Sequence, residues 1–314
     1  MFPHFLSCDW GTSHFRLRLV DTASMAVHAE IKTDEGAAFV FQYSTPETRP
    51  SLFGEVLVRH IVTIFEQTGS KAMSCVISGM ASSSIGWFDL PYAVVPMRLA
   101  SDRFHKHAFD LPVFGEIVRV TLVSGVRTGD DVMRGEECEL YGLLELHPAL
   151  GFSRACVILP GTHSKHIHLD DGNLKGFVTY MTGELFTHMH GLPTLKVPLT
   201  AQGEISESEF CQGVLAAQRF GLCAGLFKIR TRSLIAPHPG LDAPSFLSGL
   251  LIGMELLSLQ APGGAAVFLA GSPLLHPLYL LAGQQIGLSL QSIPPETLQQ
   301  SLIHAHRKFL PSDP

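Results

Sequence analysis

Charge is scarce in this 314-residue chain: Lys, Arg, Asp and Glu make up only 16% of it, and 22 basic against 28 acidic residues leave a net charge of −6. The basic residues form no run, so the electrostatic footprint of a nucleic-acid binder is missing and small molecules are the expected partners. Cysteine is also sparse. Cys8, Cys75, Cys138, Cys156, Cys211 and Cys223 are far apart and make no Cys-x-x-Cys pair, which favours reduced thiols in a cytoplasmic setting over a disulfide framework. No window offers roughly 18 uninterrupted apolar residues. The nearest, 246–257, is broken by Gly249, Gly253 and Glu255, so no membrane span is expected. A basic leader is lacking, and Asp9 and Arg16 interrupt any signal-like stretch, so nothing suggests secretion.

Three motifs are missing as well. Without Gly-x-x-x-x-Gly-Lys-Ser/Thr there is no P-loop, and without Gly-x-Gly-x-x-Gly after a strand a dinucleotide fold has no support. The absent Gly-x-Ser-x-Gly elbow removes the simplest serine hydrolase. What remains is a chain 46% hydrophobic with mean hydropathy +0.24, too apolar for disorder. It exceeds the ~250 residues at which single cores usually stop growing, so two domains are expected, 1–148 and 149–314.

The order of elements supports a division there. Residues 2–8 read as a strand entering Asp9-Trp-Gly-Thr-Ser13, and Phe15–Val20 and Val27–Thr33 follow as strands of a meander. A helix over 53–67 and a strand over 71–78 come next. The Ser, Gly and Pro content of 79–112 suits an irregular insert. A strand over 118–123 and a helix over 130–146 close the first half. After Pro148 the pattern restarts: a strand over 155–159 enters Pro160-Gly-Thr-His-Ser164, 166–169 leaves it, 170–173 makes a hairpin turn and 174–181 returns. Gly11-Thr12 and Gly161-Thr162 therefore sit at matching places of two meanders, an internal duplication in element order. The rest is helical, with a buried strand over 265–270, a helix begun by Gly271-Ser272-Pro273 and a closing helix over 296–309.

Turns of this kind converge backbone N–H groups, and their hydroxyls add donors for phosphate oxygens. Asp9, Gly11, Thr12 and Ser13 form the first. Asp9 could also hold a hydrated Mg²⁺, because phosphoryl transfer needs charge neutralised on the moving group. Gly161, Thr162, Ser164 and Lys165 form the second, with an ammonium added. Gly271 and Ser272 form a strand-to-helix turn suited to a nucleotide. An isolated turn of this sort reads equally as an ordinary capped hairpin. Arg127, Asp130, Asp131, Arg134, Glu136 and Glu137 make the densest charge cluster, a source for a general base or simply a capped helix start. The loop Gly79-Met80 through Ser82, Ser83 and Trp87 has the hydroxyls and ring to line a sugar-acid pocket; alternatively, Trp87 anchors it to the core. Four His-x-His pairs (His105/His107, His166/His168, His188/His190, His304/His306) read as structural or surface residues rather than a metal site, since ligand-spaced partners are missing except at the acidic turn after His168.

Asp9–Ser13 with Arg16, Gly79-Met80, Gly86-Trp87, Pro91-Tyr92, Asp131–Glu137, Leu159–Lys165, Thr182–Phe186, Phe246–Gly253 and Ala270–Ser272, in this order, together resemble the 2-dehydro-3-deoxygalactonokinase family. The resemblance implies the actin-like sugar-kinase fold, two ribonuclease-H-like α/β domains with a cleft between them. It implies transfer of the γ-phosphoryl of ATP, with Mg²⁺, to the 6-hydroxyl of 2-dehydro-3-deoxy-D-galactonate in D-galactonate breakdown. The three turns become the phosphate and adenosine sites. Arg16, Gly79, Met80, Ser82, Ser83, Trp87 and Arg134 become substrate residues, Asp131 the favoured base and Glu136 its alternate. His166 stands where relatives usually show Trp, and Ser124 where Pro is more usual. A kinase for the gluco epimer, a nucleotide or sugar-acid sensor on the same fold, and a His-dependent metal hydrolase are the competing readings.

Overall fold

The computed structural model describes residues 3–99, 103–151, 154–189, 192, 195, 205–235, 242–261 and 263–311. The chain divides into two compact units, 1–152 with 172–175 and 296–314, and 153–171 with 176–295.

In the first unit, β1 (His4–Trp10), β2 (Phe15–Asp21) and β3 (Val27–Thr33) form the meander, followed by α1 (Ala37–Gln42), α2 (Arg49–Thr68) and β4 (Ser74–Gly79). Two short strands, β5 (Ala93–Val94) and β6 (Met97–Arg98), precede the hairpin β7 (Lys106–Val113) and β8 (Glu116–Val123). The pair β9 (Val126–Arg127) and β10 (Val132–Met133) leads into α3 (Glu136–Leu146). The sheet runs β3-β2-β1-β4-β8-β7, antiparallel across the meander and parallel from β1 through β4 to β8. The central strands β1 and β4 run almost fully buried, whereas the edge strands β3 and β7 alternate. Trp10, Phe15, Phe53 and Trp87 pack as edge-on, tilted and stacked aromatic pairs in the core, each such pair contributing about 0.5–1.5 kcal/mol beyond its area.

The second unit repeats the plan. β11 (Ala155–Leu159), β12 (Ser164–Asp170) and β13 (Asn173–Tyr180) form its meander, then α4 (Thr182–Met189), α5 (Glu207–Ile235), α6 (Ala243–Leu257), β14 (Ala266–Ala270), α7 (His276–Ile286) and β15 (Gln291–Ile293). Its strand order is β15-β14-β11-β12-β13, with β11 antiparallel to β12 and parallel to β14, and β14 parallel to β15. This matches the β8-β4-β1-β2-β3 pattern of the first unit, so the duplication seen in element order is a repeated ribonuclease-H-like topology. Asp171 and Gly172 supply the positive φ angles of the β12–β13 turn, at 50° and 68°. α5 and α6 cross closely: a Cβ on Gly249 would lie 1.9 Å from the Phe210 carbonyl oxygen. The glycines of Phe246–Gly253 therefore serve helix packing.

Several expectations are corrected. The 79–112 segment is not wholly irregular, because Lys106–Val113 is an edge strand, where Pro112 costs no ladder bond. Residues 130–135 are not helical: Gly135 has φ 117°, and α3 begins after it. α7 starts at His276 rather than at the Gly271 turn, since 272–275 form a separate turn. α1 was not foreseen. The closing helix α8 (Pro295–Lys308) groups with the first unit, not the second. There Ile303 packs with Phe5, Val20 and Met25, and the His306 ring bonds Ser7 and Ser78 at 2.8 and 3.0 Å. The described helix that comes nearest to a membrane span by length and hydropathy is α5, not 246–257. Gly221 interrupts it with φ 68° and ψ −176°.

Candidate active site

β1 carries Asp9 to the mouth of the first turn. The Gly11 N–H closes that turn on the His14 carbonyl at 2.9 Å. Its other carbonyls face the start of α1: Gly11 accepts from the Ala37 N–H at 2.9 Å, Thr12 from Ala38 at 3.0 Å, and Ser13 from Gly36 at 3.3 Å. The approach demands glycine, because a Cβ on Gly36 would sit 2.3 Å from the Thr12 carbonyl oxygen. Thr12 and Ser13 are exposed, and their amides and hydroxyls have no partner among the described residues. With the carbonyls engaged, the unpaired groups at this turn are donors, the condition for receiving an anion.

The second turn shares one part of this plan, its threonine carbonyl given to a helix start. The Glu184 N–H at the start of α4 donates to the Thr162 carbonyl at 3.0 Å. A Cβ on Gly183 would lie 2.6 Å from the Gly161 oxygen and 2.8 Å from the Thr162 Cα. Thr162 is exposed, whereas Ser164 and Lys165 open β12 and are buried. The Ser164 hydroxyl accepts from the Gly161 N–H at 3.4 Å and bonds the Tyr279 hydroxyl at 2.9 Å. Lys165 Nζ donates to the His163 carbonyl at 2.9 Å.

Beside this turn lies a cavity of about 290 Å³. Gly161, Thr182 and Gly183 form its turn-side wall, Leu251, Ile252 and Leu278 its apolar walls, and Asp242, Ser245 and Ser248 its polar groups. At the third turn the Ser272 hydroxyl accepts from the Leu275 N–H at 3.3 Å, and Leu274 and Leu275, next in the chain, reach the cavity wall. An apolar slot with a few polar groups beside unpaired turn donors has the character of a site for a base, a ribose and phosphates.

An acidic group gathers at the start of α3 in the first unit. Glu136 accepts from the Arg134 N–H at 3.1 Å, and both Glu137 oxygens accept from the Gly135 N–H at 2.9 and 2.8 Å. Burial holds the Asp9 carboxyl above its usual range; Arg16 and Arg18 oppose the rise and the Glu136 charge adds to it. Burial also pushes Glu139 up to about 8, reinforced by Asp9 and Glu136, and Glu137 to about 8, reinforced by Glu136. Asp9, Glu136 and Glu139 thus act on one another electrostatically. Carboxylate oxygens are the donors a hard divalent cation takes, but among the described residues these three do not gather at ligand spacing, so Asp9 at the turn is the single carboxylate placed to meet a cation carried by a phosphate ligand. Asp131 is occupied differently: its carboxylate accepts from the Val132 N–H at 2.7 Å, and its own N–H donates to Thr128 Oγ1 at 2.9 Å.

The 2-keto-3-deoxy-galactonokinase family model matches residues 9–305. The chain belongs to that family. It is therefore a kinase, a phosphotransferase with an alcohol acceptor. It is 30% identical over 98% of both chains to a Rhizobium meliloti (strain 1021) protein named "Probable 2-dehydro-3-deoxygalactonokinase DgoK1". It is 29% identical to the 2-dehydro-3-deoxygalactonokinase of Escherichia coli (strain K12), over 97% of this chain and 98% of that one. The crystal structure of a candidate 2-dehydro-3-deoxygalactonokinase from Sinorhizobium meliloti is similar at TM-score 0.80 and 29% identity, covering 99% and 98% of the two chains.

Within this kinase framework the remaining expected residues have definite places. The Arg134 guanidinium is buried: Nη1 donates to the Ser82 carbonyl and hydroxyl at 2.5 and 2.7 Å, Nη2 to the Leu90 carbonyl at 3.2 Å, and the Tyr92 ring stacks on it at 4.1 Å. Ser82 and Ser83 are buried and donate to carbonyls of Val123 and Met80 at 2.8 and 2.7 Å. Trp87 packs on Phe53, Phe88 and Phe109, so its ring anchors the loop to the core. Arg16 is half-exposed, 4.0 Å from Asp9, and Met80 half-buried. A Cβ on Gly79 would lie 2.7 Å from the Trp10 carbonyl oxygen, which makes this glycine the contact between β4 and the first turn.

The His-x-His pairs do not come together as a metal centre among the described residues, and His190 lies outside them. The described group with ligand spacing is instead His4, Asp21 and His28, gathered by strand pairing from separate parts of the sequence. Sequence reasoning also missed Gly36, Asp242, Glu255 and Tyr279. Only Gly183 had a signal, as part of Thr182–Phe186.

Proposed function

We propose that this chain transfers the γ-phosphoryl of ATP to the 6-hydroxyl of 2-dehydro-3-deoxy-D-galactonate, in the cytoplasm, as a step of D-galactonate breakdown. The observation that carries this reading is the repeated turn: in each unit a Gly-Thr turn gives its threonine carbonyl to a helix start and keeps its exposed threonine amide and hydroxyl unpaired among the described residues. The full-length match to the kinase family and to relatives named for this substrate supports the acceptor. Six unpaired thiols, four of them buried, support a reducing compartment.

In this reading Gly161 and Thr162 hold phosphate oxygens, and the cavity lined by Leu251, Ile252, Ser248 and Asp242 takes the nucleoside. Thr12 and Ser13 donate to the transferring group. A Mg²⁺ carried by the nucleotide would neutralise phosphate charge, and Asp9 is the residue to hold it. Each base candidate accepts a backbone N–H from its own loop, and Glu136 is preferred over Asp131 because its charge acts on Asp9. The proton of the attacking hydroxyl passes to the Glu136 carboxylate as the O–P bond forms and the bond to the β-phosphate oxygen breaks. Arg16 binds the acceptor carboxylate. Arg134, Ser82, Ser83 and Trp87 act by shaping the 79–92 loop, and Gly79 and Met80 line it.

The test is ADP release with ATP and Mg²⁺ in a coupled assay, comparing 2-dehydro-3-deoxy-D-galactonate, its gluco epimer and no acceptor. Turnover that requires the galacto acid is the expected result. Equal turnover with the gluco epimer would reassign the acceptor, and nucleotide binding without turnover on either acid would replace the kinase reading by a sensor.

A further inference from the structure

Beneath the second turn lies a polar network that none of the assigned roles uses. Glu255, on α6, is buried, as is its partner His166 on β12. Glu255 Oε1 meets His166 Nε2 at 3.0 Å; Oε2 meets the Tyr279 hydroxyl at 2.7 Å and, at shorter range, the Thr182 hydroxyl. Tyr279 in turn meets Ser164 at 2.9 Å, and Ser164 accepts from the Gly161 N–H at 3.4 Å.

The proton positions follow from the partners. His166 Nδ1 is buried with no hydrogen-bond partner, and an unpaired N–H there would cost more than an unpaired lone pair. His166 is therefore the neutral Nε2–H tautomer and donates to Glu255. A carboxylate is acceptor-only, so Thr182 and Tyr279 donate to it as well. Tyr279, having spent its proton, accepts from Ser164, which then has only lone pairs left for the Gly161 N–H. One carboxylate thus sets the direction of a chain that runs from the phosphate turn through β12 and α7 to α6. Its Thr182 branch holds the start of α4, whose Gly183 and Glu184 grip the same turn. Gly161, Thr182 and Tyr279 all line the nucleotide cavity.

We propose that Glu255 is a positioning residue for the nucleotide: by accepting from Thr182, Tyr279 and His166 it locks the Gly161–Ser164 turn and the start of α4 into one preorganised wall. The proposal rests on the nucleotide reading of this cavity. It also makes Ser164 a member of the support rather than a phosphate donor.

The experiment uses the full chain and three variants, Glu255→Gln, Glu255→Ala and Tyr279→Phe, plus the pair Glu255→Gln/Tyr279→Phe. ADP affinity is measured by calorimetry, and KM for ATP, KM for the sugar acid and kcat by coupled assay. Tyr279→Phe keeps the ring in the cavity wall and cuts the chain between Ser164 and Glu255. Expected are a ~10-fold rise in KM for ATP and in the ADP dissociation constant for Tyr279→Phe, with kcat and the sugar-acid KM within about threefold. Glu255→Ala should exceed this effect and Glu255→Gln should recover part of it. The paired variant should fall short of the product of its single effects, because both cut one chain. Unchanged ADP affinity in Tyr279→Phe and Glu255→Gln, or equal losses for both substrates, would overturn the proposal. If Glu255→Ala does not fold, Tyr279→Phe decides. Wild-type protein that binds no nucleotide would remove the reading beneath the proposal, a result distinct from variants that match a binding-competent wild type.

Discussion

Replacing Gly183 by Ala tests whether the grip of α4 on the second turn matters for the nucleotide. The added Cβ would lie 2.6 Å from the Gly161 carbonyl oxygen and 2.8 Å from the Thr162 Cα. Both are backbone atoms, so relief requires the helix start and the turn to separate by several tenths of an ångström. That motion stretches the Glu184 N–H to Thr162 bond, now 3.0 Å, toward the limit of a useful hydrogen bond. Overpacking costs about 1–3 kcal/mol and the weakened bond about 0.5–1.5 kcal/mol, against up to ~1 kcal/mol regained because Ala favours helix over Gly. The net loss is about 0.5–3.5 kcal/mol. Part of it appears in stability and part in the turn, so the urea midpoint should fall and KM for ATP should rise about 5- to 10-fold. Gly176→Ala is the control, since a Cβ there meets nothing within 4 Å, and its effect should stay within about 0.5 kcal/mol. A Gly183→Ala protein with wild-type midpoint and wild-type KM for ATP would refute the reasoning.

Asp9→Asn should lower kcat by roughly 100-fold or more. It should leave the protein at least as stable at neutral pH, because burial already disfavours the Asp9 charge; retained turnover would remove Asp9 from the mechanism. Ser248→Trp should fill the cavity and abolish ADP binding while the circular dichroism spectrum stays native, and calorimetry decides. Burial, aided by the Arg18 charge, lowers the His306 ring to about 3. His306 is thus neutral in the folded chain and titrates near 6.5 once unfolded. Its contribution to stability is full above pH 6.5 and is lost as pH falls from 6.5 toward 3, at up to about 1.4 kcal/mol per pH unit. In His306→Gln, which can still bond Ser7 and Ser78, urea midpoints should fall less steeply over that range, and an unchanged slope would contradict the assignment.

Local patterns were readable in the chain because their causes lie within a few residues. Both meanders, both Gly-Thr turns and the Asp171-Gly172 hairpin follow from alternation and from turn chemistry, and the repeated sheet order follows from their repetition. The edge strand Lys106–Val113 was not readable, since Pro112 reads as a strand breaker and its face is only half covered. The start of α3 was misplaced by six residues because Asp130 and Asp131 look like a cap, while the positive φ of Gly135 decides.

The sequence by itself determined the family, the fold class and the two donor turns, since each rests on short motifs whose order along the chain is enough. Tertiary structure alone decided which polar groups remain free to bind a ligand. Ser164, Lys165, Arg134, Ser82 and Ser83 carry the donors that phosphate and sugar sites want, yet each is buried and bonded within the protein. Thr12, Ser13 and Thr162 keep theirs exposed. Glu255, 24 to 89 residues from the partners it gathers, and His306, nearly 300 residues from Ser7, have no local signal at all. A hydrogen bond between distant residues is set by how helices and sheets pack, and packing is a property of the whole chain.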